Sequence, residues 1–147
     1  MRECFEDIEV GDEQSFGSRD VTREEILEFA ERYDPQSFHT DEAAASESLF
    51  GGLIASGWHT ASMTMRMLVE NVFEDSAATG AVGIDELRWP NPVRPGDTLS
   101  VHTEVEATED WNDSLGLVRS RTTTLNQDDE VVLSMVGLSL YERRDAA

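Results

Sequence analysis

A chain of 147 residues is long enough for one domain to bury its own core without disulfide or metal staples, and a hydrophobic content of 39% fits a folded protein. Its 31 Asp and Glu residues face 11 basic residues, every one an Arg, and the formal net charge of −20 excludes a nucleic-acid binder built on clustered basic side chains. The acids are spread over periodic segments rather than massed in a tail, which describes a folded carboxylate surface suited to concentrated salt, as in a halophile's cytoplasm, where the Debye length shrinks to about 3 Å.

The N-terminus, Met1-Arg2-Glu3-Cys4-Phe5-Glu6-Asp7, has no apolar signal core, and no stretch approaches the roughly 20 apolar residues of a membrane span. A soluble, cytoplasmic protein is expected. The single cysteine, Cys4, rules out an intrachain disulfide, and its acidic surroundings disfavour a reactive thiolate. No repeat or linker divides residues 1–147, so a single domain is expected.

A short strand is expected near Gln14 to Arg19. Thr22-Arg23-Glu24-Glu25 reads as a capping box, with Thr22 as N-cap and Glu25 reaching back to it. The helix that follows places Ile26, Phe29, Ala30 and Tyr33 on one face, and Pro35 stops it at about Asp34. A short helical stretch follows at Asp41 to Ser46. The longest helix candidate runs from Gly57 to Phe73, with Trp58, Ala61, Met65, Leu68, Val69 and Val72 as its predicted buried stripe. After it the period becomes alternating: residues 81–89, 98–108, 115–125 and 131–141 read as strands of an antiparallel meander. Val101, Thr103, Val105 and Ala107 alternate with His102, Glu104 and Glu106, the mark of a sheet wet on one face. One strand, then helices, then a meander is an α+β order, with one long helix lying on a sheet.

Two segments carry chemistry. Asp34 and His39 lie five residues apart in Tyr33-Asp34-Pro35-Gln36-Ser37-Phe38-His39. Fully extended, those steps would separate them by about 17 Å, so they can cooperate only if the chain bends back near Pro35. Without such a bend, Asp34 is a helix-ending turn former and His39 a loop imidazole bonded to backbone. Further on, Ile54-Ala55-Ser56-Gly57 opens the long helix. Its N-terminus offers the Gly57 N–H, with the helix dipole behind it, to a developing negative charge, and glycine would let a carbonyl approach closely. One such donor is worth about 10²–10³ in rate.

These segments resemble the MaoC-like dehydratases, the (R)-specific enoyl-CoA hydratases. That family's motif runs Asp-x-Asn-Pro-x-His, an acidic residue, an Ala-rich stretch and Ile-Ala-x-Gly. Here it reads Asp34-Pro35-Gln36-Ser37-Phe38-His39-Thr40-Asp41, Ala43-Ala44-Ala45 and Ile54-Ala55-Ser56-Gly57. Asn91-Pro92-Val93-Arg94-Pro95-Gly96-Asp97 is similar to the family's later turn. Gln36 and Ser37 depart from the family's Asn and Pro.

The resemblance implies the hotdog fold, an antiparallel sheet wrapped around one long central helix, and a homodimer. It implies that Asp34 and His39 are catalytic, together holding a water for syn addition to a trans-2-enoyl thioester. Gly57 and Gln36 would bind the substrate. Coenzyme A would be part of that substrate, with no separate cofactor and no metal. Arg94 is expected to meet its phosphates, with Arg88, Arg119 or Arg121 in support. Two rival readings remain: a hotdog thioesterase working with a lone carboxylate, and a non-catalytic acyl-CoA binder.

Other candidates are weaker. His59 reads as a packing or dimer-contact residue and His102 as surface. Trp89 and Trp111 read as core or interface. The three histidines lack metal-ligand spacing, and no Gly-x-Ser-x-Gly elbow or dinucleotide fingerprint is present.

Overall fold

The computed structural model describes residues 2–145. Five antiparallel strands form one sheet: β1 (Glu13–Asp20), β2 (Ala78–Arg88), β3 (Thr98–Asp110), β4 (Leu115–Leu125) and β5 (Val131–Glu142). Between β1 and β2 come α1 (Arg23–Tyr33), α2 (Ser37–Thr40), α3 (Glu42–Ser46) and α4 (Gly57–Leu68), which runs on into a π-helical turn at Val69–Phe73. The sheet wraps around α4, so the α+β hotdog architecture holds. No helix among the described residues is long and apolar enough to cross a membrane.

The expected four-strand meander is corrected. The sheet order is β1-β3-β4-β5-β2, so only β3, β4 and β5 follow one another as hairpins. The path of α4 explains this. It crosses the sheet and delivers β2 to the far edge, beside β5. The connection carrying Pro90, Pro92 and Pro95 then returns the chain to the opposite side, where β3 pairs with both β1 and β4. Prolines lack the N–H that a ladder needs, which keeps that connection out of the sheet.

The buried face of α4 also differs from the predicted stripe. His59, Thr60, Met63, Thr64, Met67 and Leu68 are buried, whereas Trp58, Met65 and Val69 are exposed. Ranking residues by hydrophobicity passed over the threonines. Thr64 sits inside because its hydroxyl has two partners, the Thr60 carbonyl at 2.8 Å and the Thr124 hydroxyl of β4 at 2.7 Å. A buried hydroxyl with partners carries little of the usual desolvation cost.

On the other side, α4 meets β1 where the ladder register shifts between Phe16 and Arg19. Gly17 there has φ +88°, and a Cβ on it would lie 2.6 Å from Met67 Sδ. Glycine therefore permits both the backbone turn and the close approach of the helix. Leu99 and Val101 of β3 and Val132, Leu133 and Met135 of β5 complete the core with Val21, Ile26 and Met63. The alternation expected along β3 is present, with Leu99, Val101 and Thr103 buried and Glu104 and Glu106 exposed.

Candidate active site

Helix α1 begins as expected on the Thr22 hydroxyl, which accepts the Glu25 N–H at 3.2 Å. The reciprocal half of the box is replaced: the Glu25 carboxylate takes Arg19 at 3.1 Å instead. At the other end the Asp34 N–H closes the last turn on the Ala30 carbonyl at 2.8 Å, and Pro35 prevents continuation. The Gln36 N–H then bonds the Asp34 carbonyl at 2.8 Å, and α2 turns the chain back. That one-turn helix lies where periodicity provides no helical signal.

The bend brings the pair together. Asp34 Oδ2 lies 3.3 Å from His39 Nε2, with the His39 side chain almost wholly buried and Asp34 partly open at 17%. The Nδ1 of His39 is 2.7 Å from the Ile54 carbonyl oxygen. A carbonyl only accepts, so Nδ1 carries the proton and Nε2 is the nitrogen free to gain or lose one. One ring nitrogen of His39 thus bonds backbone, while the other faces a carboxylate.

Each oxygen of Asp34 has a neutral donor. The Gln36 amide donates to Oδ1 at 2.7 Å, and the Ser56 hydroxyl donates to Oδ2 at 2.7 Å. Burial pushes the Asp34 carboxyl up, but the hydrogen bonds from Gln36 and Ser56, with the charge of His39, outweigh it and hold the group below its ordinary 3.8. Gln36, expected to touch substrate, is here a support for Asp34. Ser56 is the residue that sequence reasoning missed. It is fully buried and its hydroxyl accepts the Trp58 N–H at 3.2 Å, making it the N-cap of α4. A serine directly before the first helical residue was the available signal.

Buried Leu53, Ile54, Ala55 and Ser56 form a strap into α4. The Ile54 N–H bonds the Phe38 carbonyl at 3.3 Å and the Ala55 N–H bonds the Val93 carbonyl at 2.9 Å. Among the described residues the Gly57 N–H has no acceptor. The space beside Gly57 is taken, however: a Cβ there would lie 2.4 Å from Trp89 Cε2. On the side where a side chain would project, the glycine thus admits an indole. Trp89 also stacks edge-on against Trp58, with centroids 5.2 Å apart, and stays 40% exposed.

Arg94 donates to the Phe50 carbonyl at 2.7 Å, and Phe50 packs on Phe38, which packs edge-on against His39. Among the described residues no carboxylate lies within ion-pair distance of Arg94, Arg88 or Arg32, whereas the other eight arginines are paired. Arg119 pairs with Asp85, and Arg121 with Glu106 and Glu86. Both project from the sheet face opposite Val118, Ser120 and Thr122, with their guanidiniums already committed to carboxylates.

A mainly apolar cavity of about 330 Å³ lies along the far half of α4, lined by Met65, Leu68, Val72, Val118, Met135 and Leu138 among others. Neither Asp34 nor His39 lines it. His102 is near the surface of β3, bonded to Ser15 and Glu13. Trp111 is 49% exposed at the end of β3. Among the described residues no group of three His, Cys, Asp or Glu side chains is placed to hold a metal ion.

A carboxylate facing an imidazole at the opening of a helix-in-sheet fold defines a class. The chain belongs to the MaoC-like domain family, whose pattern it matches over residues 7–126. It is 43% identical to a MaoC-like dehydratase from Rhodospirillum rubrum, whose crystal structure superposes with a TM-score of 0.88 over 96% of this chain and 97% of that one. It is 30% identical over 109 residues to the YdeM protein of Bacillus subtilis, covering 74% of this chain and 77% of that protein. It is 42% identical over 71 residues to the mesaconyl-CoA hydratase of Cereibacter sphaeroides, covering 48% of this chain and 21% of that enzyme.

Proposed function

We propose that the protein is a cytoplasmic (R)-specific enoyl-CoA hydratase, or 3-hydroxyacyl-CoA dehydratase in reverse, acting through Asp34 and His39. The observation that carries this reading is the 3.3 Å approach of Asp34 Oδ2 to His39 Nε2 beside the first turn of α4. Membership of a dehydratase family and partial identity to a mesaconyl-CoA hydratase support it.

In hydration the water oxygen bonds to C3 of the enoyl thioester and C2 gains a proton. One member of the pair takes the water's proton and the other delivers one to C2, so the two together return to their starting charge. Titration of such a pair belongs to both groups. Negative charge gathers on the thioester oxygen during attack, and the Gly57 N–H is the donor offered to it.

Arg94 is the cation proposed for the coenzyme A phosphates, since among the described residues no carboxylate pairs with its guanidinium, which bonds only the Phe50 carbonyl. A homodimer is proposed through the β2 edge and the outer face of α4. Val82, Ile84, Trp58, Met65 and Val69 are exposed there, more apolar surface than a lone edge strand and helix should leave in water.

The test gives purified protein crotonyl-CoA in concentrated salt. Loss of the conjugated enoyl absorbance supports hydration. Release of thiol instead indicates a thioesterase, and tight binding without turnover indicates a carrier of acyl-CoA.

A further inference from the structure

We infer that Ser56 is a positioning residue that ties the Asp34 carboxylate to the opening turn of α4 through one hydroxyl. The Ser56 side chain is fully enclosed, so water does not compete for it. Its two contacts leave its proton one place to go. The Trp58 N–H can only donate and therefore occupies an oxygen lone pair, at 3.2 Å. The ionised Asp34 carboxylate can only accept, so the hydroxyl hydrogen lies on the 2.7 Å line to Oδ2.

That oxygen is the one facing His39 Nε2. Ser56 is also the residue directly before Gly57, whose N–H has no acceptor among the described residues. A single buried hydroxyl thus sets where the carboxylate stands relative to both the imidazole and the helix-end donor. Gln36, on the more exposed side, restrains only Oδ1. Ser56 is expected to hold the carboxylate ionised and aligned, not to touch the reacting atoms.

The kinetic part of this inference rests on the proposed hydration, but the titration part does not. Carbon-13 NMR of labelled aspartate, assigned with Asp34→Asn, follows the Asp34 carboxyl in the free protein. Ser56→Ala is expected to raise its titration midpoint by about one pH unit or more. It should also lower hydration kcat about ten- to a hundred-fold with little change in KM.

Thr22→Ala is the matched control, because the Thr22 hydroxyl caps α1 at the same 3.2 Å and touches no site carboxylate. It should lower the melting temperature without moving the Asp34 titration. Ser56→Gly removes the same hydroxyl but keeps a tolerated N-cap, and must shift the titration in the same direction. An unmoved Asp34 midpoint in either folded Ser56 variant overturns the inference, as does an equal shift in Thr22→Ala. Wild-type protein inactive on crotonyl-CoA would sink the hydratase reading while leaving the titration result to decide the role of Ser56.

Discussion

Trp89 fills the place where residue 57 would carry a side chain. A Cβ on Gly57 would come within 2.4 to 2.8 Å of three indole atoms. Gly57→Ala is therefore expected to push the indole off the helix end and to destabilise the fold by about 1–3 kcal/mol, the range for overpacking. Denaturant melts and tryptophan emission check this, because Trp89 also leans on Trp58. An alanine variant with wild-type stability and emission would mean that the indole does not stand there.

The Asp34 carboxyl is held below 3.8, against its burial, by Gln36, Ser56 and His39. A carboxylate with a depressed folded value stabilises the fold above its unfolded value, and that stabilisation is lost as pH falls through the folded value. Stability from this group should thus be complete above pH 3.8 and decline below it. Asp34→Asn should flatten that part of the acid-unfolding curve. The same variant, and His39→Gln, should each lose about 10²–10⁴ of the hydration rate while keeping the oligomeric state. Turnover at wild-type rate by both would refute the site.

His59 is nine-tenths buried, stacked parallel on Phe29 at 4.7 Å, and its Nδ1 is enclosed without a partner among the described residues. Burial pushes its imidazole below the ordinary 6.5, with Glu25 opposing and Arg19 adding to the depression. The folded state then refuses a proton that the unfolded chain accepts below 6.5, so wild-type stability is lost as pH falls below that value. His59→Phe keeps the stacking and removes the orphan nitrogen. Chemical denaturation below pH 6.5 should find it more stable than wild type by about 1 kcal/mol, with a smaller gap above.

Salt should raise the melting temperature. Going from about 0.1 M to about 1 M contracts the Debye length from about 10 Å to about 3 Å. This weakens exposed ion pairs such as Arg66–Glu70, each worth at most about 1 kcal/mol. It also quenches the mutual repulsion behind a net charge of −20, which is the larger effect. A melting temperature that falls with salt would reverse this ranking.

Arg94→Ala should raise KM for crotonyl-CoA about ten-fold, the worth of one charged contact, and leave crotonyl-pantetheine unaffected. Equal effects on both substrates would place Arg94 in loop support, through its bond to the Phe50 carbonyl, rather than in phosphate binding.

What was legible in the sequence follows from how locally each feature is determined. The α1 cap, its stop at Pro35 and the alternation of β3 depend on neighbours within a few residues, and each lies where expected. The approach of Asp34 to His39 required a bend that Pro35 announces but does not specify; α2 supplies it. The order of the sheet and the inward face of α4 depend on distant partners. Nothing near Thr64 in the chain reveals that Thr124, sixty residues later, meets its hydroxyl. Likewise, nothing around Gly57 announces Trp89, and the role of Ser56 appears only when Asp34 is beside it.

The Thr64–Thr124 contact fixes where α4 lies along the sheet. Sliding α4 by one or two residues would strand the Thr124 hydroxyl in the dry interior, which holds the rod in register on the sheet. Gly57, at one end of the rod, and Met65, which lines the apolar hollow, stand about 12 Å apart along its axis. For the proposed hydration such a rod would act as a ruler: short acyl tails would end before the hollow, and only longer ones would reach into it.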